Sequence, residues 1–458
     1  MLLPLPRRYF LLKKVNAALA AFLLAFLLNC GGTSGGSGAS DPGNSDPPAP
    51  IGGNGSLNQI NHVIWIMQEF RSFDNYFGKL NDYRQAKGLP ADVDGLPLDA
   101  TNPSVDGTAQ IPAYHLNTVC MEQMTPAWDA SRRDVSRYSP DLKTGPMDGF
   151  VYSAARFALD ENAAGRGPYS DIEGMRAMGY YTDREIPYYY FMATQFATSD
   201  RFFGTILSRT PPNRIANLAA SALGVVNSIP EGTTFQQNTI LHLLQNAGVS
   251  WKIYETEGTY LGYFQPFFGT YHDHVVPFDQ FFTDLQNNTL PQVAYIEPMN
   301  GANEHTASNI QLGVARVAGM INALMASQSW KDSVFFVTYD HGGEYDHVPP
   351  QPAVIPDSIP PQLAPGNAVD DYSRTGFRVP LIVVSPFAKK GYVSHTVMDN
   401  TAILKFIETR FNLSNLTERD AAQPDMTEFF ELTNIPNATS PSPPTQPTDA
   451  PCTYHVLP

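Results

Sequence analysis

The chain has 458 residues, 43% of them hydrophobic and 12% aromatic, which is enough apolar material for a large folded core. Its formal charge is −15, with 44 Asp and Glu against 29 Lys and Arg. That balance argues against a nucleic-acid binder, which needs a basic face. If the ligand is an anion, the positive charge that holds it must be local, from a metal or a few arginines.

The first 29 residues read as a leader. Arg7, Arg8, Lys13 and Lys14 precede the apolar run Ala17 to Leu28. A membrane-spanning helix needs ~20 apolar residues, and this run is shorter. It ends in Leu27-Leu28-Asn29-Cys30-Gly31, which resembles a bacterial lipoprotein signal with Cys30 as the acylated first residue. Asn29 is bulkier than the small residue usual there, and a plain signal peptide with an incidental cysteine is the other reading. Residues 30–57 are rich in Gly, Ser, Pro and Asn and form a tether rather than a core. The expected location is therefore outside the cytoplasm, lipid-anchored to a bacterial membrane, in the outer membrane or periplasm.

Between 58 and 435 several apolar segments read as buried strands: His62–Met67, Trp251–Tyr254, Val293–Ile296, Val334–Thr338 and Leu381–Val384. Their near-continuous hydrophobicity suits a sheet covered on both faces. Helical patterns fall between them at Asn213–Ala222, Asn238–Asn246, Ile310–Ala326 and Asn400–Phe411. This alternation predicts an α/β sandwich with a largely parallel sheet and ligands at the carboxyl ends of its strands. The Tyr-rich stretch 79–190 reads as an insertion beside the site, a lid or a substrate wall.

Polar clusters follow the apolar segments. Glu69 comes directly after the first strand, within Gln68-Glu69-Phe70-Arg71-Ser72-Phe73-Asp74; it reads as a metal ligand or as a surface carboxylate paired with Arg71. Thr210-Pro211-Pro212-Asn213-Arg214 starts a helix, because proline suits the first helical turn. Thr210 is a plain N-cap or a nucleophile at a helix start whose N–H groups and dipole attract an anion. Asn213 and Arg214 are candidates for holding phosphate oxygens. Glu304-His305 offers a ligand or an acid. Asp340-His341-Gly342-Gly343-Glu344-Tyr345-Asp346-His347 places two Asp, one Glu and two His within eight residues after a strand. Its glycines are expected to let the backbone turn sharply. Carboxylate oxygen with imidazole nitrogen suits a divalent ion without choosing one. The Pro-rich tail 436–458 contains Cys452; Cys120 is its remaining partner, and a disulfide or two free thiols are both open.

In order and content these segments resemble the bacterial phosphoesterase family of non-specific phospholipases C and acid phosphatases. Its members have the alkaline-phosphatase-like fold, a three-layer α/β sandwich with a central, largely parallel sheet. The resemblance rests on His62 to Gly78, Asp200-Arg201-Phe202-Phe203, Thr210 to Arg214, residues 338–350, Phe377 to Pro386 and Phe406-Ile407-Glu408. It implies that Thr210 is transiently phosphorylated and that Glu69 and Asp340 bind metal, while Arg71 and Asp74 brace the first loop.

Three departures stand out. Phe70 replaces the family's usual Asn, Asp340-His341 runs into Gly342-Gly343 one residue early, and Asn400 replaces a His. His341 then takes a ligand position. The expectation is a phosphoric ester hydrolase using a divalent ion (Zn, Mn, Mg or Ca) held by Glu69, Thr210, Asp340 and His341, with His305 or His347 protonating the leaving group. Its substrates would be phospholipids or small phosphomonoesters. Tyr188-Tyr189-Tyr190-Phe191 or Phe264 to Phe268 form an apolar entry rim, or simply core. The rival expectation is a lipoprotein of the same fold that binds a phosphorylated or glycan ligand without turnover.

Overall fold

A computed structural model describes residues 53–353 and 355–454. The leader, Cys30 and the tether up to residue 52 lie outside the described residues.

Eight strands form the main sheet: β1 (His62–Gln68), β2 (Ala197–Ser199), β3 (Trp251–Glu255), β4 (Val275–Pro277), β5 (Val293–Ile296), β6 (Ser333–Tyr339), β7 (Ile382–Val384) and β8 (Tyr392–Ser394). Their order across the sheet is β8-β2-β7-β6-β1-β5-β3-β4. Only β7 runs against its neighbours; the other pairings are parallel. Every residue of β5 and β6 is buried, and so is all of β1 after His62. Successive strand side chains point to opposite faces, so burial of all of them means that both faces are covered. That is why these strands read as unbroken apolar runs.

The expected helix over 310–326 is present as Ile310–Ala326, capped where the Asn309 side chain accepts from the Gln311 amide. The helix predicted over 213–222 runs one turn earlier, Thr210–Ala219. Pro211 and Pro212 fit the first turn, and Ala220 ends it in the left-handed region at φ 55°. The helix predicted over 400–411 is Thr401–Phe411.

The stretch 79–190 is packed into the molecule. Tyr181 and Tyr188 to Tyr190 are buried in the main core, so the tyrosine run is core and not an entry rim. Arg132 from this stretch donates to the Leu207 carbonyl at 2.8 Å, which makes it a wall behind the loop leading to Thr210. Residues 436–454 also pack on the domain, through Asn437 to Ala388 O at 2.8 Å and Gln446 to Glu185 O at 2.9 Å. A Cys120–Cys452 disulfide closes this strap. Among the described residues no helix is long and apolar enough to cross a membrane.

Candidate active site

Because β1, β5 and β6 are parallel and adjacent, the residues that follow them meet at one sheet edge. Gln68 lies opposite Tyr339 across β1 and β6, so Glu69 and Asp340, one residue further, leave the sheet side by side. Glu297 follows β5 in the same way. Thr210 reaches this edge from its helix. The loop before that helix lies so close that a Cβ on Gly204 would stand 2.9 Å from the Asp340 carbonyl oxygen.

The Thr210 Oγ1 lies 3.2 Å from Nε2 of His341. The other ring nitrogen of His341, Nδ1, faces the Gly342 carbonyl at 3.1 Å. A carbonyl only accepts, so Nδ1 carries the hydrogen and Nε2 of the neutral ring keeps its lone pair toward the hydroxyl. Burial pushes the His341 imidazole below its ordinary value and so favours that neutral form. Asp340 is fully buried; its Oδ1 accepts from the amides of Phe70 at 3.1 Å and His341 at 2.8 Å. Its Oδ2 has no hydrogen-bond partner. Glu69 is held by Asn303, whose Nδ2 donates to Oε2 at 3.0 Å. Burial, reinforced by Asp340 and opposed by Arg214, pushes its carboxyl upward.

Several expected site residues have other employment. Asn213 donates to the carbonyls of Ile206, Ser208 and Arg209 and accepts from the Ile206 amide. Its amide braces the loop that presents Thr210 and has nothing left for a phosphate. Arg214 is buried among three carboxylates: Nη2 is 3.6 Å from Glu69, Nε 3.5 Å from Asp340 and Nη1 3.9 Å from Glu297. It offsets their charge, donates to Tyr295 Oη and the Gln68 carbonyl, and borders the pocket beside Glu69. The helix start is also poorer in donors than expected, since Pro211 and Pro212 have no N–H to offer. Arg209, half-buried just before Thr210, is the cation that the sequence reading passed over. Its charge acts on both His305 and His341, and it has no carboxylate partner among the described ion pairs.

Neither expected proton donor suits the leaving group. Burial and the neighbouring His341 hold the His305 imidazole down at about 4, so at neutral pH it has no proton to give. His347 has both ring nitrogens engaged, Nδ1 with Asp74 at 2.7 Å and Nε2 with Asp94 at 3.1 Å. It belongs to a second cluster in which Arg378 bridges Asp74 at 3.0 Å and Asp346 at 2.9 Å.

Phe70 is wholly buried at φ 52°, its ring 5.1 Å from that of His305 and 4.8 Å from that of His341. It fills space between the imidazoles. The glycines beside it serve closeness and not a turn: neither has a positive φ. A Cβ on Gly343 would stand 2.0 Å from the Phe70 ring, and one on Gly342 2.9 Å from the Ser72 Cβ. Arg71 and Asp74 brace the first loop as expected; Arg71 ties Glu344, Glu304 O and His305 O together.

Do these residues fit a divalent cation? By donor type they fit: Asp340, Glu69 and the Thr210 hydroxyl offer the hard oxygens that a divalent cation takes, with Arg214 standing against both carboxylates here. Among the described residues, the group of three acidic or histidine side chains whose ligand atoms all lie within 4.8 Å of one another is Asp74, Asp346 and His347, and there Arg378 bonds both carboxylates. Beside Glu69 opens a pocket of about 330 Å³, lined by Glu257, Thr259, Tyr260, Tyr263, Glu297 and Arg214 among others.

An acceptor-backed hydroxyl at a helix start, facing carboxylates that suit a cation, is the equipment of a phosphoric ester hydrolase. Comparison with known proteins agrees with that class. The Phosphoesterase family model matches residues 60–414, and the chain belongs to that family. It is 28% identical to Phospholipase C B of Mycobacterium tuberculosis, over 85% of this chain and 81% of that one. It is 27% identical to the hemolytic phospholipase C of Pseudomonas aeruginosa, over 84% of this chain and 59% of that one. A solved protein of the alkaline phosphatase superfamily from Vibrio parahaemolyticus is 12% identical, covering 81% of both chains with a TM-score of 0.34.

Proposed function

We propose that the chain hydrolyses phosphate esters through a phospho-threonine at position 210, with a divalent cation as cofactor. The observation that carries this reading is the Thr210 Oγ1–His341 Nε2 contact at 3.2 Å, with the ring's tautomer set by Gly342. The Thr210 oxygen attacks phosphorus, His341 accepts its proton, and the bond from phosphorus to the ester oxygen breaks, the departing oxygen taking a proton from solvent as it leaves as the alcohol. Water then cleaves the Thr210–phosphorus bond and releases phosphate or a phosphorylated headgroup. Glu69 and Asp340, with the Thr210 oxygen, would hold the cation; His341, expected as a ligand, has its one lone pair directed at the Thr210 proton instead. When bound, it lowers the hydroxyl's pKa and offsets charge on the phosphoryl oxygens. Arg209 contributes the remaining positive charge and Asn213 keeps the nucleophile's loop in place.

The pocket beside Glu69 decides among esters. Glu257 and Glu297 make it hostile to a second anion, and Tyr260 and Tyr263 offer aromatic faces at its wall. That lining, with relatives named phospholipase C, supports an ester whose alcohol is neutral or cationic. The test compares p-nitrophenylphosphorylcholine with p-nitrophenyl phosphate, with each of Zn, Mn, Mg and Ca and with chelator. Turnover restored by a metal after chelation, with the choline ester preferred, is the expected result. Full turnover in chelator would remove the cation from the mechanism, and a preference for the monoester would remove the headgroup reading.

The substrate and the leader together support lipid anchoring through Cys30, which would keep the domain at a membrane surface. Mass spectrometry of the chain extracted from membranes tests this, with an acylated Cys30 expected as first residue. A mature chain beginning elsewhere, without lipid, would end the proposal.

A further inference from the structure

Glu304 is completely buried in a loop and has no cationic partner among the described ion pairs. Four neutral donors surround its carboxylate instead. Tyr189 Oη and Gln68 Nε2 donate to Oε1 at 2.7 and 2.8 Å. Tyr339 Oη and Tyr76 Oη donate to Oε2 at 2.5 and 2.9 Å. The donors come from far apart in sequence. Gln68 and Tyr339 are the last residues of β1 and β6 and lie opposite each other in register. Tyr76 is in the short helix Phe73–Phe77, and Tyr189 is in the helix Pro187–Gln195 of the insertion.

Strand alternation gives this arrangement its meaning. Side chains of successive strand residues point to opposite faces, so Gln68 and Tyr339 turn toward Glu304 while the backbone hands the next residues, Glu69 and Asp340, to the site. One carboxylate thus grips the residue immediately before each of the two catalytic carboxylates. Glu304 itself immediately precedes His305. Its neighbour Asn303 completes the grip: the Asn303 carbonyl accepts from the Glu69 amide at 3.0 Å and its side chain donates to the Glu69 carboxylate at 3.0 Å. Arg71 fastens the same loop from the other side, donating to the Glu304 carbonyl at 2.7 Å. Glu304 keeps a left-handed backbone, φ 64°, that a residue with a Cβ seldom adopts. The helix Ile310–Ala326 leaves room for its stem only because position 313 is glycine: a Cβ there would stand 2.2 Å from the Glu304 Cγ.

We infer that Glu304 is a positioning residue for the reaction: it fixes the separation of Glu69 and Asp340 and the placement of the 302–305 loop against them, without touching substrate. The inference rests on the hydrolase reading of the Thr210 site. Four donors need four lone-pair directions, which a carboxylate supplies and a carboxamide does not. Glu304→Gln keeps the size but turns one acceptor into a donor that faces hydroxyls already oriented inward.

The experiment measures kcat and KM for p-nitrophenylphosphorylcholine with full-length wild type, Glu304→Gln, Glu304→Asp and Tyr189→Phe, each with a thermal melt and far-UV spectrum. Glu304→Gln is expected to lower kcat by on the order of 10²-fold, the effect of misplacing reacting groups by about an ångström, with KM within about twofold. Glu304→Asp, which keeps the charge and acceptors, is expected to recover part of that loss. Tyr189→Phe removes one donor far from the reacting atoms. It is expected to lower kcat several-fold with KM unchanged, and it stands in if Glu304→Gln does not fold. A folded Glu304→Gln that melts lower yet turns over at the wild-type kcat would overturn the inference and leave Glu304 a fold anchor only. So would a Tyr189→Phe protein with unaltered kcat. A wild-type protein inert toward every ester would instead overturn the hydrolase reading, and this inference with it.

Discussion

Thr210→Ala is expected to lose turnover of phosphate esters by a factor on the order of 10³ or more, with little change in folding stability. The oxygen removed is the one the His341 lone pair faces, and no other hydroxyl is hydrogen-bonded to that nitrogen among the described residues. The remaining machinery, Arg209, Asp340 and Glu69, still binds charge but has nothing to transfer phosphorus to. The structural cost is small because the helix is not capped by Thr210: Arg209 is the N-cap residue, and Pro211 and Pro212 set the first turn. One hydrogen bond is lost, about 1 kcal/mol. Thr210→Ser keeps the hydroxyl and is expected to remain within about tenfold of wild type. Steady-state kinetics with a thermal melt on the same samples checks both. An alanine variant that keeps a tenth of the wild-type rate would mean that the nucleophile is a different group.

The largest stability effect is expected at Arg378. Its guanidinium is fully buried, bonded to Asp74 at 3.0 Å and Asp346 at 2.9 Å, and donates to the carbonyls of Asp94 at 2.8 Å and Asp200 at 3.2 Å. It also lies over the Phe73 ring, 4.6 Å from its centroid. Whether the intact cluster is a net gain over an apolar one is beside the point. Removing the cation alone leaves two buried carboxylates close together with only His347, on Asp74, as a charged partner, and such losses run to ~3–5 kcal/mol. Burial and Asp74 already push the Asp346 carboxyl upward against the pull of Arg378, so without the arginine it is expected to take up a proton. Arg378→Leu should therefore fall by several kcal/mol in urea unfolding. Asp74→Asn with Asp346→Asn in the same chain should return much of the loss, because the two sites share one network. A loss under about 1 kcal/mol for Arg378→Leu would mean that water or a shifted lysine satisfies the acids.

The sheet was legible in sequence for a specific reason. Central parallel strands are buried on both faces, so β1, β5 and β6 appear as unbroken apolar runs, and the polar residues after them mark their carboxyl ends. Thr210 was legible because proline points to a helix start. What the residues at that start do was not. Asn213 and Arg214 have the right chemistry for phosphate, but residue type gives capacity and only packing gives a partner; theirs are backbone carbonyls and carboxylates. The contact between Thr210 and His341 spans 131 positions, which no local pattern encodes. Gly342-Gly343 reads as a turn signal, yet its use is space for Ser72 and Phe70, a demand made by residues some 270 positions away. Glu304 reads as a loop ligand because the three tyrosines that bury it lie at 76, 189 and 339. The missing N–H groups of Pro211 and Pro212 are the exception, since the sequence alone already shows that this helix start has few donors to offer.

The Cys120–Cys452 bond divides the molecule into a closed covalent ring and an open arm. Thr210, Asn303, Glu304, Asp340 and His341 all belong to the ring. Glu69 does not: it arrives on β1, which precedes Cys120 and is slotted between β5 and β6, both ring segments, by non-covalent contacts only, the strand ladders together with side-chain bonds such as Gln68 to Glu304 and Arg71 to Glu344. A single cut within the ring leaves its two pieces one molecule until the sulfurs are reduced, whereas a cut between β1 and Cys120 frees the arm to withdraw. The site is thus a joint between a locked part and a removable one, and the carboxylate most exposed to that difference is the one at its centre.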